Sequence, residues 1–407
     1  MTDAEGRAGD AEASAPMGPT PDAPPPGTLR ALVLYFLGLG TWGFGGPVVL
    51  VERMRRDLQE ARGWFTRKEY SEGIALAQLT PGPLAAQLAI YLGWLRGGFV
   101  GTTLVGVAFI APSFLMVMVL SAVYVRFGGI GWMQGAFYGV GAAVIAIIGL
   151  SAYRLVRKIV RADWLLWSVV VANAVITAVT ERELVSVIAI SGLLVLAVRG
   201  WPRRSAGAAG TAAALFIIPP GLLTGLHGTA EPGMLATIGL YFAKAGALVF
   251  GSGLAIVPFL HGGTVVDMHW LTERQFLDAV AVSMITPGPV VITVAFIGYL
   301  VAGPLGAIAA AIGVFLPAYL MVVLVAGWFQ RVAQNRALRA AVDGVTAAAT
   351  GAIAGAVIVL GRRAIVDAPT LLMFVAALGV VLWTKKVPEP VLLLAAGVAG
   401  ILLHQSM

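Results

Sequence analysis

Long apolar runs separated by short polar loops dominate the chain. They fall at about 31–51, 73–95, 99–125, 130–152, 164–180 and 183–199, and again at about 236–260, 279–302, 305–328, 339–360, 366–384 and 388–404. Between the two sets lie a basic linker, Arg199 to Gly210, and a shorter run, 211–227, broken by Pro219-Pro220. A run near 20 residues crosses the hydrocarbon core as a helix, and several of these runs reach that length. Backbone in lipid must satisfy its own hydrogen bonds, which restricts spanning structure to helices and closed barrels. The pattern predicts an all-α polytopic membrane protein with about 10–13 membrane segments.

Composition removes the alternatives. Of 407 residues, 59% are hydrophobic and 12% are charged, with a mean hydropathy of +0.89. A soluble domain carries roughly 25% charged residues, so a soluble enzyme, a secreted disulfide protein and a disordered chain are set aside. The net charge of +7 sits in loops between apolar runs, where basic residues control topology; nucleic acid is not an expected partner, and the lipid bilayer is. There is no Cys, which excludes disulfides and thiolate metal sites. Residues 1–28 hold six prolines and five acids and read as a disordered tail. They lack the basic and apolar regions of a signal peptide, so 31–51 is expected to be an uncleaved segment that directs insertion, and whether 31–51 and 211–227 fully span stays open.

The chain repeats itself. Tyr35-Phe36 matches Tyr241-Phe242, Phe44-Gly45 matches Phe250-Gly251, and Trp64 and Thr66 match Trp270 and Thr272. Thr80-Pro81-Gly82-Pro83 matches Thr286-Pro287-Gly288-Pro289, and all these pairs are 206 apart. The register then slips by one, so that Pro112 matches Pro317 and Gly139-Val140 matches Gly344-Val345. One spacing held through a tetrapeptide and its flanks marks a fused duplication. The expected organisation is a tail over 1–28, a first repeat over 29–198, a linker with a short apolar segment over 199–234 and a second repeat over 235–407.

Loop charge predicts how the repeats are oriented. Residues 52–72 hold six Lys/Arg, against Arg274 alone in 258–278. Arg126 stands against Arg331, Arg336 and Arg339; four basic residues in 153–163 stand against two; Arg182 stands against Lys385 and Lys386. The differences, +5, −2, +2 and −1, alternate in sign. Basic loops favour the cytoplasmic side, so each loop should lie across the membrane from its twin, as in inverted repeats. For 52–72 and 153–163 to share a face, an even number of crossings must separate them, yet three runs do. The runs with Pro-Gly-Pro at their centres, 73–95 and 279–302, are therefore expected to be re-entrant or broken hairpins.

The candidate chemistry follows from these interruptions. Pro81 suits a first helical position, which makes Thr80 the N-cap of the helix that follows, with Thr286 and Pro287 in the same roles. Helix N-termini bind anions through free amides and the positive dipole end. If the repeats are inverted, Thr80-Pro81-Gly82-Pro83 and Thr286-Pro287-Gly288-Pro289 face one another near the midplane. Gly45 and Gly46 in the first repeat, and Gly251, Ser252 and Gly253 in the second, let backbone approach closely. Lys244, inside an apolar run, supplies a fixed positive charge or else snorkels to an interface. Gln78, Gln87 and Thr293 flank the turns and offer hydrogen bonds, or serve as helix contacts. Gly135/Gly139 and Gly351/Gly355 have the spacing of close helix contacts. No HExxH, P-loop or buried acidic pair is present, so no metal, cofactor or enzymatic activity is expected.

Phe44-Gly45-Gly46-Pro47 and Gln78-Leu79-Thr80-Pro81-Gly82-Pro83, with Lys244-Ala245-Gly246, Phe250-Gly251-Ser252-Gly253, Trp270-Leu271, Phe276-Leu277-Asp278 and Pro287-Gly288-Pro289, resemble the two halves of the chromate ion transporter family, long-chain type. The resemblance covers about 30–405. It implies a bacterial inner-membrane protein that exports chromate and confers chromate resistance, with sulfate as an analogue. A carrier of sulfate or another small anion, or an anion channel, would share this architecture, and a homodimer stays open.

Overall fold

The computed structural model describes residues 27–44, 46–127, 131–160, 163–180, 185–200, 232–248, 250–251, 256–327, 336–383, 387 and 389–404. Most of the tail, the linker and the run 211–227 lie outside them.

The first repeat opens with two re-entrant hairpins. Helix α1 (Leu29–Trp42) starts under the Thr28 cap, whose hydroxyl accepts from the Ala31 N–H. The chain breaks at Gly43 and returns as α2 (Pro47–Met54), which widens into π turns over Arg55–Ala61. The return is antiparallel: Leu50 lies against Gly43 and Trp64 against Gly27, while the Tyr35 hydroxyl donates to Asp57 at 3.1 Å. The run 31–51 therefore enters and leaves by one face, and does not span; Gly43 and Pro47, unable to continue a helix through lipid, turn the chain back.

Helix α3 (Arg67–Leu79) begins with a capping box, Thr66 with Glu69. It ends at the turn containing β1 (Gly82–Pro83), and α4 (Leu84–Phe127) starts back at once. Gly73 packs on Leu88 and Tyr91, residues about equally far from the turn, so 67–96 is a second hairpin with Pro-Gly-Pro at its tip. Helix α4 is not one rod, because non-helical Gly97 and Gly98 fold it. A Cβ on Gly93 would lie 2.5 Å from the Gly101 oxygen, a contact that only a tight helix–turn–helix permits. Its second arm, 99–127, runs roughly 43 Å at 1.5 Å per residue and crosses. Helices α5 (Gly131–Val160), α6 (Trp164–Thr180) and α7 (Val185–Gly200) follow.

The second repeat is built likewise from α8 (Pro232–Leu248), β2 (Phe250–Gly251), α9 (Ile256–His261), α10 (Glu273–Ile285), α11 (Thr293–Val325), α12 (Arg336–Ala364), α13 (Ala368–Trp383) and α14 (Glu389–His404). Details recur: π turns over Gly262–Asp267, a Thr272–Gln275 capping box, and a fold in α11 at Ala302-Gly303 with Gly298 against Gly306. The matched threonines of the sequence, Thr66 and Thr272, are these caps.

The repeats are inverted. Helices α1, α2 and α3 and the turn at Gly97-Gly98 share one face, here the near face, since Leu29 packs on Gly97 and Gly101. Helix α5 starts on the opposite, far face. Arg274, in the first turn of α10, donates to the Gln134 oxygen near the start of α5 at 3.2 Å, and Tyr138 bonds Asp367 between α12 and α13. The hairpins of the second repeat thus enter from the far face. Tyr138 and Thr370 hydrogen-bond the Asp367 carboxyl and hold it below the usual carboxylate range. Consistently, α7 ends on the near face, where Arg199 pairs with Asp163, whereas α8 begins on the far one. Among the described residues four helices are long and apolar enough to cross a membrane, two in each repeat, and shorter apolar helices pack around them.

The two repeats interlock. Helices α6 and α7 pack on α12 of the other repeat, and α13 and α14 pack on α5. Glycines carry the closest approaches: a Cβ on Gly139 would lie 2.0 Å from the Ala396 oxygen, and one on Gly355 2.4 Å from that of Ala174. Backbone stands opposite in both places, so nothing flexible can give way. Gly139→Leu is expected to cost ~3 kcal/mol by overpacking, read as loss of monodisperse protein and a lower unfolding temperature in detergent.

Candidate functional site

The four hairpin tips meet inside the protein. Gly82 and Pro83 pair in parallel with Phe250 and Gly251 of the other repeat. The matched contact also forms: Gly288 N–H donates to the Gly43 oxygen at 2.9 Å. Each Pro-Gly-Pro turn is thus docked on the broken helix of its opposite repeat, around a pseudo-two-fold axis. Between the turns lies a cavity of about 10 Å3 lined by Pro47, Leu50, Pro83, Ala85, Gly288, Pro289, Val290 and Val291. That is room for at most one water molecule.

The central glycines are there for space and for backbone shape. Gly82 has φ +141° and Gly288 φ +103°, values that side chains rarely adopt. A Cβ on Gly82 would lie 2.6 Å from Ala318 Cβ, and one on Gly288 2.5 Å from Ser113 Oγ. Ser113 and Ala318 follow the matched prolines 112 and 317 on the long arms of α4 and α11. Sequence reasoning used those prolines only for register; the small residue after each was the available signal that something packs there.

Thr80 does not cap the following helix, contrary to the expected N-cap. It closes α3: its N–H and its hydroxyl both donate to the Leu76 oxygen, the latter at 2.7 Å. Thr286 closes α10 on Val282 in the same way. The helical arm starts after Pro83, not at Pro81, because the extended Gly82-Pro83 segment is held by β2. Gln87 is fully buried and braces the turn, its Nε2 donating to Thr80 Oγ1 at 2.8 Å and to the Pro81 oxygen at 2.7 Å. At the matched position Thr293 is buried and donates to the Val290 oxygen.

The remaining candidates are dispersed. Pro81 and Pro287 lie in the two turns, and Gly46 caps α2 beside them. Gln78 is exposed on α3. Lys244 is exposed too, on an outward stripe of α8 with Leu240 and Ala247. Twelve residues beyond Pro232 places it roughly 18 Å along the helix, and it does not border the cavity. Gly45, Ser252 and Gly253 lie outside the described residues. No charged side chain lines the cavity; the electropositive groups nearest to it are the starts of the helical arms after Pro83 and Pro289.

A family model described as "Chromate transporter" matches residues 30–196 and again 236–401. The chain belongs to the chromate transporter family. It is 54% identical over 380 residues to the "Chromate transport protein" of Cupriavidus metallidurans, covering 93% of this chain and 94% of that one. It is 53% identical to the "Probable chromate transport protein" of Synechococcus elongatus, covering 92% and 95%, and 33% identical to the "Chromate transport protein" of Pseudomonas aeruginosa, covering 94% of each. No solved structure matches. Family and apolar helices together make this a multi-pass membrane protein of a transporter family.

Proposed function

We propose that the protein exports chromate, a dianionic oxyanion, across the bacterial inner membrane by exposing the Pro-Gly-Pro junction alternately to each face. The carrying observation is the head-to-head docking of the two turns around a cavity too small for the ion. Hairpins entering from opposite faces meet there, so parting the turns on either side opens a path to that face alone. The starts of the two helical arms then offer amides to an ion with several acceptor oxygens. Lys244, exposed at depth on α8, acts in this reading on the approach to the turns and not at the cavity itself.

The basic stretch 52–72 and the end of α5 share the near face, which the loop charges assign to the cytoplasm. Each elementary charge moving outward gains ~2.3 kcal/mol per 100 mV. A dianion gains roughly 4.6 kcal/mol, over a thousandfold in concentration ratio. Membrane potential alone is then a sufficient driving force for export, with exchange as the other route.

The test is labelled chromate uptake into liposomes holding the purified chain, with an imposed voltage and sulfate as competitor. Saturable, voltage-driven uptake is expected, with sulfate competing weakly. Lys244→Ala should raise KM more than it lowers kcat, as loss of an approach charge requires. Unsaturable currents would sink the carrier reading in favour of a channel, and preference for sulfate would reassign the substrate.

A further inference from the structure

The second repeat carries a carboxyl group that the turns do not use. Asp278 lies on α10, two turns before Thr286, and is 4% exposed. Tyr124 Oη, from the long arm of α4 in the other repeat, donates to Asp278 Oδ2 at 2.7 Å. The Tyr124 ring stands against Phe137 and Phe296, with centroids 5.6 and 5.2 Å away, so the pair sits among aromatic rings.

No cation lies within ion-pair distance of Asp278 among the described residues. Arg274, one turn outward on the same helix, is exposed and donates to the Gln134 oxygen of α5. Further out, His261 and Glu273 bond at 2.8 Å and Glu273 pairs with Arg363, while Tyr138 serves Asp367. The groups at that end are thus committed to one another. The arrangement is one-sided: position 72 of the first repeat holds Glu72, but the position matched to Tyr124 is Phe329, which has no hydroxyl. Buried carboxyl groups within membrane segments mark proton relays and ion pathways.

Its position ties the pair to the moving parts. Helix α10 carries the turn in which Gly288 docks on Gly43 and Ser113. Tyr124 is on the same arm of α4 as Ser113, about three turns further on. Parting the second turn from the first repeat therefore strains the Tyr124–Asp278 bond as well.

We propose that Asp278 binds a proton in each transport cycle, and that its hydrogen bond with Tyr124 holds the second hairpin against the first repeat while the carboxyl is ionised. The proton adds to a carboxylate oxygen from far-face water and returns to water; no bond to the transported ion forms. This inference rests on the proposed transport function.

The experiment uses the full chain in liposomes, with voltage clamped by a potassium ionophore. Two fluxes are read: chromate accumulation driven by a pH gradient, and chromate–chromate exchange without one. Asp278→Asn is expected to lose gradient-driven accumulation while exchanging at a rate comparable to wild type. Tyr124→Phe, which removes the bond, should lose gradient-driven accumulation severalfold while exchanging at a rate comparable to wild type. Accumulation by Asp278→Asn at the wild-type level overturns the proposal. So does joint loss of exchange and accumulation in monodisperse protein, or wild-type accumulation that does not respond to the gradient. If the Asn variant does not reconstitute, undiminished gradient-driven accumulation in Tyr124→Phe overturns it. Absence of any chromate flux in wild type instead defeats the transport reading.

Discussion

Gly82→Val and Gly288→Val are each expected to abolish transport in protein that still inserts. At either site the new side chain meets three obstacles. Positive φ costs a branched residue of order 1–3 kcal/mol. Its Cβ lands within 2.6 Å of Ala318 or 2.5 Å of Ser113, and overpacking costs ~1–3 kcal/mol more. The turn is also pinned by backbone pairing to the opposite repeat, through Gly82–Phe250 and Gly288–Gly43, so it cannot retreat. The turns would be wedged apart, and initial rates of chromate uptake should fall more than about tenfold, since 1.4 kcal/mol suffices for each factor of ten. Gly38→Ala is the control, because nothing lies within 4 Å of a Cβ there and Ala favours helix. Wild-type rates in both valine variants would show that the junction does not take part in transport.

The second large effect is one of sidedness. The chain has no Cys, so single cysteines report without background. Lys68 and Arg274 are matched, exposed positions in the first turns of α3 and α10. In oriented vesicles, Lys68→Cys and Arg274→Cys are expected to react with a membrane-impermeant thiol reagent from opposite sides. The contrast should be nearly all-or-none, because a charged reagent crosses lipid poorly. Labelling from one side would mean that the repeats point the same way, and the shared junction could not be built.

Much of this architecture was readable because it rests on local or statistical signals. The tetrapeptide repeat showed duplication. Alternating loop charge showed inversion, since Lys and Arg are sorted by side during insertion. Counting crossings between 52–72 and 153–163 required a re-entrant 73–95, and Gly73 against Leu88 and Tyr91 bears this out. Whether 31–51 crosses was open from sequence, because it is long and apolar enough to span yet rich in glycine; its reversal depends on Leu50, Asp57 and Trp64 finding Gly43, Tyr35 and Gly27, contacts that hydropathy does not encode. The N-cap role given to Thr80 failed for a related reason. Thr-Pro is a sound helix start in isolation, but here β2 holds the next two residues extended and moves the start past Pro83.

By itself the sequence determined that this is a duplicated, inverted, helical membrane protein with an interruption in each half, because hydrophobicity, charge sorting and repetition act on residues one at a time or on near neighbours. Only the tertiary structure decided that each turn docks on the other repeat's broken helix, that Lys244 faces outward, and that Asp278 meets Tyr124 from 154 positions away. Those pairings are set by how two interlocked repeats pack, and contacts between distant segments leave no periodic mark on either one.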